Sequence, residues 1–283
     1  MMVRKLLFIL LFIPLFFSCS KETQKINYTL IVNINPAEGG FVNPNGGTVP
    51  EGQQISLQAT ASPYYEFENW SGSETGISSN ISVIMDGNKT LTANFKELPF
   101  YVDDNDITIK ARDWVTAGMK GVINGDEYVA VDLEMLKKMI DDDEDLSKVV
   151  TTLVTDMSNL FQEKEDFNSD ISSWDVSNVT DMQWMFLNNK IFNQNISKWD
   201  TGKVQNMRWM FAGSSEFNQP IGEWDVSNVE NMLRMFNVAS SFNQDLSKWD
   251  VSNVKDCDVF CYLADSWTLP KPNFTNCGNY ACN

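Results

Sequence analysis

A chain of 283 residues, 43% hydrophobic and 21% charged, has the composition of ordinary globular domains and room for one to three of them. Its 38 acidic residues against 21 basic ones give a formal net charge of −17, which argues against a nucleic-acid partner because phosphate backbones would repel it. The absence of histidine excludes Ser-His-Asp and Cys-His nucleophile pairs, His-bearing zinc sites and the usual general base near neutral pH, and leaves carboxylate pairs and oxygen-ligand metal sites.

Residues 1–18 read as a secretory signal, with Arg4 and Lys5 ahead of the apolar run Leu6 to Phe17. Twelve apolar residues are too few to span a bilayer as a helix. The run ends Phe16-Phe17-Ser18-Cys19, which resembles a bacterial lipobox; the resemblance implies cleavage before Cys19 and acylation of that cysteine, so that the N-terminal lipid is the membrane partner. The mature chain then has 19 basic and 38 acidic residues, net −19. An anchoring Cys19 also accounts for the odd cysteine count. The other four, Cys257, Cys261, Cys277 and Cys282, all fall within the last 27 residues, and in an exported chain two disulfides are expected, with three possible pairings.

After the anchor and a polar linker (19–27), residues 28–96 form an expected small all-β module. Tyr28, Leu30, Val32 and Ile34 alternate along one face, and Ile55, Leu57, Ala59 and Ala61 repeat that period of two. Ile81, Val83 and Met85 precede Asp86-Gly87, and Leu91, Ala93 and Phe95 follow it, which predicts a hairpin. Pro36 to Gly52 reads as turn-rich. The ordered motifs Tyr65 to Gly72, Met85 to Thr90 and Thr90 to Phe95 resemble divergent internalin B-repeat modules, which implies a spacer or weak adhesion module without catalysis. Tyr65, Phe67 and Trp70 are either core aromatics or a sugar-stacking platform.

Residues 97–141 are expected to form the N-terminal cap of a repeat array, with alternating Ile107, Ile109 and Ala111, an Asn124-Gly125 hairpin, and an amphipathic helix bearing Leu133, Leu136, Met139 and Ile140. From 142 to 262 the chain repeats every 25 residues. Phe167, Phe192, Phe217 and Phe242 keep that spacing, as do Trp174, Trp199, Trp224 and Trp249, and twelve of 25 positions are identical between 167–191 and 217–241. A worn earlier copy carries Leu146, Val149, Val154, Met157, Leu160 and Phe161. Such periodicity predicts a leucine-rich-repeat-like solenoid of 25-residue coils, mainly β with short helices. In each coil Ile171-x-x-Trp174-x-Val176 has the spacing of a short strand, and Ser177 is placed to cap a helical turn carrying Val179, Met182, Met185 and Phe186. Cys257 and Cys261 replace the core Met and Phe of the last coil, ahead of a C-terminal cap at 263–283.

The units FNSDISSWDVSNVTDMQWMF and FNQDLSKWDVSNV, with the flanks TIKARDWVTAGMKGVINGDEYVAVD and WTLPKPNFTNC, resemble BspA-like leucine-rich-repeat surface proteins and the Mycoplasma surface lipoproteins that share these repeats. The resemblance implies a cell-surface protein, lipid-anchored on the outer membrane, that adheres or binds a protein partner and is not an enzyme. A surface glycan-binding accessory protein and an architectural envelope spacer are the alternatives. It also implies the pairing Cys257–Cys277, which leaves Cys261–Cys282.

Asp175, Asp200, Asp225 and Asp250 sit between inward residues and are expected to point outward as an acidic ladder. They are either a docking strip for a basic partner or divalent cation, or Asx turns bonded to their own backbone. Trp184 and Trp209 share one repeat position outside the apolar periodicity, near Arg208 and Arg234, and are either an exposed strip for contact with a protein or glycan at the cell surface or partly buried between coils. The acidic runs 103–106 and 141–145 lack the Gly and terminal Glu of a calcium loop. No cofactor or metal is expected.

Overall fold

The computed structural model describes residues 25–277 and 282. The signal, Cys19 and most of the linker lie outside the described residues. The described residues divide into two compact units, one up to Lys96 and one from Glu97. Among the described residues the protein is mainly β and about 5% helical, with several small sheets and no closed barrel.

In the first unit, strands β1 (Asn27–Asn35), β3 (Gly46–Pro50), β5 (Tyr65–Gly72) and β7 (Lys89–Glu97) form a sheet of order β3-β1-β7-β5. Strands β2 (Gly40–Asn43), β4 (Gln54–Ala61) and β6 (Asn80–Ile84) form a second, of order β2-β4-β6. The period-two residues of both sheets meet in one core that includes Leu30, Leu57, Val83, Leu91 and Ala93. Two expectations are corrected. The stretch read as turn-rich contains β2 and β3, short strands separated by Pro44 and Asn45. Asp86-Gly87 does not close a hairpin, because β6 and β7 belong to different sheets. In a two-sheet sandwich both runs bury their alternate residues inward, so an arch between sheets carries the same apolar pattern as a hairpin within one. Trp70 is buried, its Nε1 donating to Ser78 C=O at 3.0 Å, and the Phe67 ring lies 5.6 Å from both Trp70 and Phe95. Tyr65 and Phe67 are half-buried against the same core, so these aromatics serve packing.

The second unit begins with β8 (Phe100–Val102) paired antiparallel with β9 (Ile109–Ala111). Next come the antiparallel strands β10 (Lys120–Ile123) and β11 (Asp126–Ala130). Asn124 and Gly125 join them with φ of 54° and 94°, the double positive φ of a two-residue primed turn. Helix α1 (Leu133–Asp141) follows, capped by Asp132, whose carboxylate accepts from Met135 N–H at 2.9 Å. It buries Leu136 and Ile140. A 3₁₀ turn (Leu146–Lys148) leads into β12 (Val149–Val150), parallel to β11. Ile107 departs from the expected alternation and is 38% exposed, because it sits in a turn where its N–H donates to Asn105 Oδ1 at 3.0 Å.

Beyond β12 successive 25-residue copies hydrogen-bond to one another. The N–H groups of Met182, Trp184, Phe186 and Asn188 donate to the C=O groups of Asn206, Arg208, Met210 and Ala212, at 2.8–2.9 Å. Equivalent bonds run from Met157 to Asp181, from Met207 to Asn231 and from Met232 to Asp256. The worn first copy is therefore joined to the ladder. Neither the expected strand at Trp174-x-Val176 nor the expected helical turn forms. Trp174 and Val179 instead donate back three residues, to Ile171 and Val176, as turns. Each copy also holds two residues in the left-handed region, four apart: Trp184 and Asn188 at φ 55° and 56°, Trp209 and Gly213 at 57° and 71°, Arg234 and Val238 at 54° and 62°. A left-handed residue every fourth position forbids a helix and aims alternate N–H groups at the next copy.

The core of this stack is a set of aromatic columns. Phe161, Phe186, Phe211 and Phe236 follow one another at 5.5–5.6 Å, and Phe167, Phe192, Phe217 and Phe242 at 5.9–6.0 Å. Trp199 Nε1 donates to Ile171 C=O at 3.3 Å, and Trp224 and Trp249 repeat the bond to Ile196 and Ile221 at 3.1 Å, so the indoles are buried with their one donor satisfied.

Candidate functional site of the repeats

The outward positions of the copies fall into vertical files, and each expected site residue has a place in one. Asp175, Asp200, Asp225 and Asp250 all form Asx turns, accepting from the N–H two residues on: Ser177, Gly202, Ser227 and Ser252, at 3.0–3.1 Å. Ser177 is thus no helix cap; its hydroxyl donates to Asp175 Oδ1 at 2.7 Å. The hydrogen bonds from the side chain and backbone of Ser252 hold the Asp250 carboxyl below the ordinary carboxylate range. The expected outward ladder is broken at its first rung. Asp175 is buried, with Oδ2 unpartnered, whereas Asp200, Asp225 and Asp250 are exposed. The cause is the N-terminal cap, which crosses this rung: Ile109 N–H donates to Ser173 C=O at 2.9 Å. The cap also brings Lys110, whose ammonium meets Asp103 at 2.8 Å. Burial lowers the Lys110 pKa, but its bond to Asp103 and the charges of Asp175 and Asp103 outweigh that and leave it raised.

Trp184 and Trp209 are half-buried. The Arg208 guanidinium lies over the Trp184 ring at 5.4 Å, and that of Arg234 over Trp209 at 4.6 Å. Lysines of the repeats behave differently. Lys190, Lys248 and Lys255 each meet the glutamate one copy earlier, Glu165, Glu223 and Glu230, at 2.6–2.7 Å. At the C-terminal end Cys257 is joined to Cys277 and Cys261 to Cys282, with Cα–Cα distances of 5.8 and 4.5 Å. Cys257 and Cys261 are buried in the last copy.

Residues 132–222 and 197–276 match the family described as Mycoplasma protein of unknown function, DUF285. Together these spans cover just over half of the sequence. The chain belongs to that family. Residues 30–99 match the divergent InlB B-repeat domain. No curated protein and no solved structure matches the chain.

Several structural residues of the DUF285 repeats escape a reading by apolar spacing. Asn168, Asn193 and Asn218 each accept through Oδ1 from the backbone N–H one copy later, at 2.9–3.0 Å. Gln194, Gln219 and Gln244 donate to the backbone C=O of the same asparagines at 2.7–3.0 Å. The Phe-Asn-Gln string in three of the copies is the signal for this polar file. A cavity of about 420 Å³ opens beside α1, lined by Asp141, Asp143, Glu144, Asp166 and Lys164 among others. Among the described residues no group of three or more His, Cys, Asp or Glu is arranged to hold a metal ion, and no helix is long and apolar enough to cross a membrane.

Proposed function

We propose that this protein is a non-catalytic surface lipoprotein, tethered by a lipid on Cys19, whose copies stack into a leucine-rich-repeat-like solenoid that serves as an adhesion or protein-binding module at the cell surface. The BspA-like resemblance and the two matched families, both of repeat-bearing surface-type proteins, support the role. The observation that carries it is the hydrogen-bonded register between copies, which sets the same outward positions one above another. A rigid repeated face gains avidity from many weak contacts without ordering loops for each of them. The lack of histidine supports a non-catalytic role.

The test is protease shaving of intact cells, followed by blotting, for the wild type and Cys19→Ser. The wild-type band is expected to disappear from intact cells, and the variant to leave the membrane fraction. Survival of the wild-type band until the cells are lysed would place the protein inside the envelope and replace adhesion by an architectural role.

A further inference from the structure

Trp184, Arg208, Trp209 and Arg234 form two stacked cation–π pairs along three successive copies. The sequence has four arginines, and two of them are here. Among the described residues neither forms an ion pair, although the chain carries 38 carboxylates and the lysines of neighbouring files take theirs from the copy below. Each guanidinium spends one flat face on an indole, so it is held in place without using its N–H edge. In Arg208 the Nε is shielded and unpartnered, as is Nε1 of Trp209 beside it, and among the described residues the terminal nitrogens make no hydrogen bond. Two pre-positioned forks, one copy apart, are thus open to an anion in an otherwise acidic surface.

We infer that this strip binds a glycan bearing isolated carboxylates, a refinement that rests on the surface-binding role proposed above. The forks match carboxylates in geometry, and the half-exposed indoles supply the amphipathic surface on which a sugar ring can lie. The net charge of −17 repels polyanions with a charge on every unit, so the acidic groups must be spaced by neutral sugars. An acidic peptide would meet the same forks, but its own run of charges would face the aspartates and glutamates around them.

The full chain is to be tested on an array of neutral glycans, glycans with one carboxylate-bearing sugar, the same glycans with that carboxylate converted to an amide, and an Asp/Glu-rich peptide. The variants are Arg208→Gln with Arg234→Asn, and Trp184→Asn with Trp209→Asn. Their replacements stand at the matching positions of other copies, Gln183 and Asn159, and Asn159 has a φ of 62°. Binding to the carboxylate glycans is expected, falling about tenfold or more on amidation and in the arginine variant, and also weakened in the tryptophan variant. Equal binding of neutral and acidic glycans, preference for the peptide, or unchanged binding in the arginine variant would overturn the inference. Cells whose exposed protein adheres equally with the arginine variant would refute the strip and leave the surface role standing; a protein shielded in intact cells would refute the role itself.

Discussion

A valine at φ 62° is a costly choice. Val238 occupies the left-handed position filled by Asn188 and Gly213 in earlier copies, and its side chain is 42% exposed, so little burial compensates. Val238→Asn should therefore raise stability by about 1 kcal/mol, read as a higher urea midpoint with an unchanged slope. The aspartates of the Asx turns give a second prediction. Asp250 and Asp245 are held below the ordinary carboxylate range by their bonds to Ser252 and Ser247. A depressed folded pKa stabilises above the unfolded value of about 3.9 and loses that effect as pH falls through the folded value. Asp250→Asn should be less stable than wild type at pH 6, and the gap should close near pH 2; a gap independent of pH would show that the charge contributes nothing. Each carboxylate in the Asp file accepts from its own turn, and the cap that buries Asp175 shortens the exposed row to Asp200, Asp225 and Asp250.

At the level of elements, legibility depended on whether a residue pattern has one structural solution. Asn124-Gly125 has one, since both residues accept positive φ, and the hairpin forms where expected. Asp86-Gly87 has two, because the alternate residues around it bury equally well in one sheet or in two facing sheets. The repeat unit was legible in its period and its buried set, with Val179, Met182, Met185 and Phe186 all in the core. Its backbone was not. Spacings of three and four residues suit a helix and equally suit successive turns, and nothing about tryptophan advertises the left-handed conformation that Trp184 and Trp209 adopt. The C-terminal staples allow a test at this scale. Each closes a loop of about 20 residues, with separations of 20 and 21, and contributes ~3 kcal/mol by restricting the unfolded chain. Reduction should lower the thermal midpoint, and Cys257→Ala with Cys277→Ala should lower it by part of that amount.

For the repeat-bearing unit as a whole, stability is shared between neighbours, since each copy donates to the next and stacks its phenylalanines upon it. Phe211 touches rings on both sides as well as Phe217 at 4.0 Å, so Phe211→Ala should destabilise by about 3–5 kcal/mol. Hydrogen exchange should show the loss spreading into the copies on either side; confinement to 192–216 would mean that the copies fold independently. The direction of the bonds between copies has a further effect. In each copy the peptide units ending at Met182, Trp184, Phe186 and Asn188, or their equivalents, point N–H toward the later copy and C=O toward the earlier one, and fewer bonds, such as Gln205 N–H to Thr180 C=O, run back. An ordinary sheet alternates these directions and cancels them. Here four peptide units per copy, each of about 3.5 D, add head to tail across the stack, as they do along a helix. The unit is consequently polarised from end to end by its backbone, with the partial positive pole at the disulfide-stapled terminus, and no change of side-chain charge would remove that polarity.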